Sequence, residues 1–258
     1  MAGRKWTLEE TKMAFALYML LEHREINKRN PNVINLAVSI DRTPASVYLK
    51  LENIASHDAN RVELGRVGMQ HSNKLDKQIW AEYKSRGDDL LIESLDLLSE
   101  ALKEGHLTCP TYESIVMEFE TLPEGKEKTV QIQQRVNQRY FRNTLINIYN
   151  GRCCITGLAS PSLLVASHIK PWKICDPKTE RLAASNGLLL NALHDRAFDQ
   201  GYLTVDTNYM VHISSRIKKN DDPLSWLWGF DGKAIHLPKS HVPDPKLLEY
   251  HNDVIFLH

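Results

Sequence analysis

The stretch NGLLLNALHDRAFDQG, residues 186–201, sets Asp195 and Asp199 four apart, so on a helix their carboxylates face the same way. Two like charges there oppose each other unless a divalent cation lies between them, and an all-oxygen donor set suits magnesium or manganese. His168 closes the apolar run LLVASHI and is the candidate to take a proton from water. The side-chain amide of Asn186 is the candidate to fix the loop that carries His168. A base, an orienting amide and a cation are what phosphodiester hydrolysis requires: an activated water, and charge neutralised on the scissile phosphate and leaving oxygen. A lone histidine after an apolar strand is ordinarily a hydrogen-bonded core residue; the agreement of several spaced elements is what favours catalysis here.

These residues need elements to hold them. RCCITGL and LLVASHI read as the two strands of a hairpin about ASPS, and KPWKICDPKTERLAAS as an irregular loop. Asn186-Gly187 makes a turn, LLLNA is buried, LHDRAFDQG is a helical turn or two, and YLTVD begins another strand. The order is β-hairpin, loop, helix. Ahead of it, TVQIQQRVNQRYFRNTLINIYNG is a helix with an apolar stripe through Val136, Tyr140 or Phe141, Leu145 and Ile148. Arg135, Arg139 and Arg142 share a different face and are candidate phosphate contacts, with a merely solvated face as the alternative. Lys170 and Arg196 are further candidates for DNA contact.

The run SHIKPW…NGLLLNALHDRAFDQGYLTVD resembles the HNH endonuclease family with its ββα-metal finger, in the branch found in bacterial restriction-type nucleases. The resemblance covers roughly residues 132–258. It implies a divalent metal, His168 as general base and Asn186 as the loop-orienting asparagine. It places the final metal position on Asp195, with Asp199 one turn on and His194 as the neighbouring alternative. Ser167 stands where an acid is frequent, and Asn252 where an arginine is. The zinc-binding cysteine pairs of some HNH proteins are absent, so hydrophobic packing must hold this finger.

The first half is helical. Thr7–Glu10 is a capping box ahead of TKMAFALYMLLEH, a second helix begins near Pro31, and Thr43-Pro44 opens a third, PASVYLKLENIAS. Helix, tight turn, helix is the layout of a helix-turn-helix, with Arg42 in the turn and Ser46, Tyr48, Lys50 and Asn53 expected on or near the outer face. A plain helical bundle is the alternative. Residues 57–73, with Gly65 and Gly68, read as a wing or connector. Two amphipathic helices follow, the second acidic and Leu-rich and a candidate dimer face. Residues 6–80 also resemble the amino-terminal region that accompanies HNH domains in such nucleases.

The expected architecture is therefore α+β: a mostly helical, helix-turn-helix or winged-helix-like recognition domain over 1–104, a linker over 105–128, and a ββα-metal HNH domain over 129–258. The net charge of zero divides into +2 for residues 1–66, −7 for 67–125 and +5 for 126–258, so two mildly basic ends flank an acidic middle. No apolar run reaches membrane-span length, no apolar leader is present, and four cysteines without a CxxC pair point to reduced thiols and a cytoplasmic protein. The expected function is a metal-dependent DNA endonuclease of restriction or defence type, acting on double-stranded DNA, with modified cytosine as one candidate target and a homodimer for double-strand cleavage. The alternatives are a DNA-binding regulator with a degenerate HNH domain, and a homing or nicking HNH endonuclease.

Overall fold

The computed structural model describes residues 4–62 and 74–258; the expected wing or connector lies largely outside the described residues. The chain divides into two compact units, Met1–Tyr140 and Phe141–His258, rather than at residues 104 and 128.

In the first unit, α1 (Leu8–Leu20) starts on the expected capping box: Thr7 Oγ1 accepts the Glu10 N–H at 3.1 Å and Glu10 Oε2 accepts the Thr7 N–H at 2.9 Å. Residues Ala14 through Leu20 are all buried, so α1 is apolar on every side and must be surrounded. It is packed by α2 (Pro31–Ser39), α3 (Pro44–Ala55), α5 (Lys74–Arg86) and α6 (Asp88–Glu104); α4 (Ala59–Val62) is a single turn. Between α2 and α3 the Arg42 N–H reaches the Ala37 carbonyl at 2.8 Å, and Thr43 caps α3 by accepting the Ser46 N–H at 3.1 Å. Ala37 and Val47 are buried as their spacing implies.

Two expectations for this unit are corrected. Leu90, Leu91, Leu95, Leu98 and Leu102 of α6 are buried inside the unit, so its apolar stripe is already covered and is not a dimer face. Residues 105–128 are not a bare linker either. Pro110 opens α7 (Pro110–Glu118), which packs on α2, and α8 (Lys126–Ile148) follows after a short turn. The division between units falls within α8.

The second unit holds two antiparallel strand pairs. Strand β1 (Leu164–His168) pairs with β2 (Gly187–Asn191), with His168 opposite Gly187 and Ser167 opposite Leu188. The hairpin expected between RCCITGL and LLVASHI does not form. Cys154–Thr156 is turn instead, and its Cys154 N–H bonds the Leu189 carbonyl of β2 at 2.8 Å. The chain thus leaves β1, makes a long loop and returns as β2 before α9 (Ala192–Asp199), which packs on both strands and on β3 (Leu203–Val205). Strand β3 pairs with β4 (Val211–Ile213). The chain ends in α10 (Pro245–Tyr250) and a π-helical turn, His251–Ile255.

That last turn clamps the end of α9. His251 is buried, stacks on Phe198 with ring centroids 3.6 Å apart, and donates from Nε2 to the Phe198 carbonyl at 3.2 Å. Burial pushes its pKa down to about 4. Gly201, at φ +73°, admits the same segment: a Cβ there would lie 2.1 Å from the Ile255 carbonyl oxygen. No helix among the described residues is long and apolar enough to cross a membrane.

Candidate nuclease site

His168 ends β1 in a closely packed surround. Its ring stacks on Phe141 at 3.9 Å and meets the edge of Trp172 at 5.4 Å. Its Nε2 lies 3.0 Å from the Arg181 carbonyl oxygen. A carbonyl can only accept, so Nε2 carries the proton and Nδ1 keeps its lone pair. Burial lowers the pKa, which keeps the ring neutral and able to accept a proton at neutral pH.

The loop that supplies this carbonyl is stapled by Asn186, which is fully buried. Asn186 Oδ1 accepts the Lys170 N–H at 2.9 Å, and Nδ2 donates to the Lys170 carbonyl at 3.3 Å and the Glu180 carbonyl at 3.2 Å. One side chain therefore ties the start of the loop to its end, next to Arg181. The loop's own turn is set by Asp176, whose Oδ1 accepts from Lys178 N–H, Thr179 N–H and the Thr179 hydroxyl. Lys170 Nζ closes it with an ion pair to Glu180 at 2.7 Å.

Asp195 and Asp199 stand one turn apart on α9. Burial, then the Asp199 charge, push the Asp195 pKa up to about 6, against a smaller lowering by the Ser167 hydroxyl. Asp199 is exposed at its outer edge, yet the surrounding protein still raises its pKa. Ser167, only 3% exposed, has no hydrogen bond of normal geometry on its Oγ, although it lies close enough to favour the charged form of Asp195. Two carboxylates one turn apart, Asp195 half-buried and Asp199 exposed, with the buried Ser167 hydroxyl beside Asp195, are an all-oxygen donor set of the kind a hard divalent cation takes. No group of three or more His, Cys, Asp and Glu side chains suited to a metal stands together among the described residues.

His194 points elsewhere. Its Nδ1 and its backbone N–H both bond the Asn191 Oδ1, at 2.9 and 3.0 Å, and its ring meets the edge of Phe230. Its surroundings are those of a packed capping histidine. Asn252 accepts from the Thr204 hydroxyl at 2.7 Å and donates to the Val205 carbonyl, so its side chain braces β3.

Several expected DNA contacts are used inside the protein. Lys50 is 2% exposed and ion-paired to Asp76 at 2.5 Å, because Val47, Lys50, Leu51 and Ile54 form the inward stripe of α3. Arg42 has a side chain 6% exposed, paired to Glu10 at 2.8 Å and laid 4.1 Å from the Trp6 ring centroid. These two corrections have one cause: a long aliphatic stem can be buried when its charge meets a partner. Ser46, Tyr48 and Asn53 are partly exposed. Arg135 pairs with Glu118 at 2.8 Å; Arg139 donates to the Leu20 carbonyl at 2.7 Å, and Arg142 to the Leu164 and Pro161 carbonyls at 2.5 and 2.7 Å. Arg139 and Arg142 are thus structural ties rather than a free phosphate-binding row. Arg196 is exposed.

Three parts of the site carry no signal as isolated residue types: the Arg181 carbonyl, the Phe141 ring and the Trp172 edge. The Asp176-Pro177 dipeptide, a turn signal, was the one available pointer to the built loop.

No curated protein matches the chain. Residues 153–206, which span β1, the stapled loop, β2 and α9, match the family model described as HNH endonuclease. That family acts on DNA and generally uses divalent metals, and this domain suggests a nuclease of the same type. Over this segment, and on this match alone, the chain is similar to the HNH endonuclease family.

Proposed function

We propose that the chain is a metal-dependent DNA endonuclease of restriction or defence type. The observation that carries the reading is the state of His168: Nε2–H held on the Arg181 carbonyl, Nδ1 unprotonated, and the ring fixed between Phe141 and Trp172. In this reading His168 Nδ1 takes the proton from the attacking water. Asn186 keeps the carbonyl, and so the imidazole, in place. Asp195 and Asp199, with Ser167 beside them, would hold a magnesium or manganese ion. Such an ion, when bound, neutralises charge on the scissile phosphate and leaving oxygen.

The first unit is the candidate for target choice, through Ser46, Tyr48 and Asn53 on α3, with duplex carrying modified cytosine among the targets to test. One site cuts one strand, so a double-strand break calls for two copies or two successive nicks. A second reading, a DNA-binding regulator with a degenerate site, is favoured by the donor set alone: two carboxylates and a serine are fewer anionic ligands than a tight site needs.

Plasmid and phage DNA, modified and unmodified, incubated with magnesium or manganese separates the two. Metal-dependent cutting by the wild type, abolished in His168→Ala, supports the nuclease. Binding without cutting under every metal supports the regulator.

A further inference from the structure

Beyond the HNH segment, the loop after β4 presents two large apolar side chains to solvent. Leu224 is 68% and Trp226 58% exposed. They are not on a slack loop. Asp222 accepts three successive backbone N–H groups, those of Trp226, Leu227 and Trp228, each at 2.8 Å. The Ser225 N–H bonds the Asp222 carbonyl at 2.9 Å, and Ser225 itself takes φ +53°. Trp228 turns inward and donates from its indole N–H to the Ile217 carbonyl at 3.1 Å. One tryptophan is used to anchor the turn, and the other, two residues before it, is left outside.

The turn also has a place and a charge. Phe230, at its far end, meets His194 of α9, and the Trp226 backbone lies beside the same histidine. His194 directly precedes Asp195. Exposed Arg216, Lys218 and Lys219 lead into the turn, and exposed Lys233 follows it. Within the turn, Asp222 spends its charge on backbone N–H groups and Asp231 accepts the Ile213 N–H at 3.0 Å. What faces solvent is a rigid aromatic and a leucine, next to the helix that carries the carboxylates and flanked by four exposed cations against one further exposed carboxylate, Asp221. Of the cations, Lys219 also lies 5.1 Å from the Trp228 ring centroid and Lys233 5.5 Å from that of Phe230.

We propose that this turn is a DNA-contacting element of the nuclease unit, in which Trp226, with Leu224 beside it, packs against a base step opened next to the cut phosphate while Lys218 and Lys219 bind backbone phosphates. A preorganised aromatic side chain gives up little conformational freedom on docking, and apolar wedges between base steps are a general means of distorting duplex DNA. The proposal rests on the nuclease reading for its account of where the base lies, but not for DNA binding by the turn itself.

The test uses the full chain carrying His168→Ala, so that DNA survives, and a random-sequence duplex containing 2-aminopurine, whose fluorescence rises when it is unstacked. The expected result is binding with a fluorescence rise. Trp226→Ala should weaken binding about tenfold, as loss of one stacked base does, and abolish the rise, while Trp226→Phe restores most of both. Lys218→Gln with Lys219→Gln should lower the slope of log affinity against log salt by about two, one for each phosphate no longer neutralised, and leave the rise in place. Because Trp226 is largely exposed, an unchanged melting temperature is expected for each Trp226 variant. Binding and fluorescence unaltered by Trp226→Ala overturn the proposal, as does a Trp226→Ala variant that loses self-association and nothing else. Cutting by the wild type is assayed in parallel. Wild type that cuts while Trp226 proves indifferent sinks this proposal alone; Trp226-dependent DNA binding without cutting sinks the nuclease reading alone.

Discussion

Asn186 offers the sharpest test of how the site is held, because its backbone and side chain do separate work on neighbouring amides. Its carbonyl accepts the Ile169 N–H at 3.0 Å, whereas its Oδ1 accepts the Lys170 N–H at 2.9 Å. Asn186→Ala removes three side-chain hydrogen bonds and leaves the backbone bond in place. Two of the three are long, at 3.2 and 3.3 Å, so the unsatisfied Lys170 N–H dominates the cost; the total should be about 2–4 kcal/mol. Residue-level hydrogen exchange reads this locally: the Lys170 amide should exchange about 10–100 times faster, with Ile169 falling only as far as global stability does. Asn186→Asp separates the two halves of the staple. It keeps an acceptor for the Lys170 N–H but turns an oxygen toward the Lys170 and Glu180 carbonyls, so Lys170 stays protected while the Glu180–Arg181 end moves. With it goes the carbonyl that holds His168, and cleavage should fall about 100-fold with DNA affinity little changed. A Lys170 amide as protected in Asn186→Ala as in the wild type would refute the staple outright.

Three further predictions follow from other parts of the structure. The folded-state pKa of His251 is lowered to about 4 from 6.5, so the unfolded chain takes this proton first as pH falls; about 3 kcal/mol of stability should disappear between pH 6.5 and 4, and His251→Asn should show a correspondingly flatter urea-unfolding profile across that window, the same profile in both proteins being the contrary result. Gly187→Ala would place a Cβ 2.6 Å from Leu145 and 2.7 Å from the Phe141 ring, so the ring that supports His168 must shift; cleavage should drop more than DNA binding, and a variant with wild-type kcat would show that Phe141 does not matter to the base. Lys50→Ala strips Asp76 of its lysine in a fully buried setting and should cost about 3–5 kcal/mol by urea denaturation, while the salt dependence of DNA binding stays put; the reverse pattern would return Lys50 to the DNA surface.

Much of the scaffold was legible because it rests on local chemistry. The Thr7 capping box, the Thr43-Pro44 start of α3 and the helix at 192–199 each depend on side chains within a turn of one another. The order strand, loop, strand, helix around His168 was legible only in part. The partner of β1 lies beyond an irregular loop, and nothing in RCCITGL distinguishes a strand from a turn whose cysteine sulfur accepts backbone N–H groups, as Cys153 Sγ does from Asn191 at 3.3 Å. The linker was misplaced for a related reason. Residues 105–128 mix Gly, Pro and charge, yet Pro110 at the first position of α7 is a helix start as much as a loop marker.

Charge was the least legible property, and the reason bears on function. In α3, Lys50 and nearby Arg42 look like a nucleic-acid surface by type and spacing, but each has found a carboxylate and an aromatic ring inside the protein. In α9, Asp195 and Asp199 look ordinary by type, yet burial and their mutual repulsion raise the pKa of Asp195 to about 6. A sequence records which charges exist, and only packing decides which are already neutralised. A binding site is where the protein has left that balance incomplete. By that criterion the α2–α3 face is a weak candidate for phosphate contact, since Ile34, Val38 and Leu49 are among its exposed residues while its nearby cations are spent. The carboxylate pair of α9 is the stronger candidate: the Asp199 charge helps hold the Asp195 pKa up at about 6, and a divalent cation bound between the two would relieve that repulsion and neutralise charge on a phosphodiester.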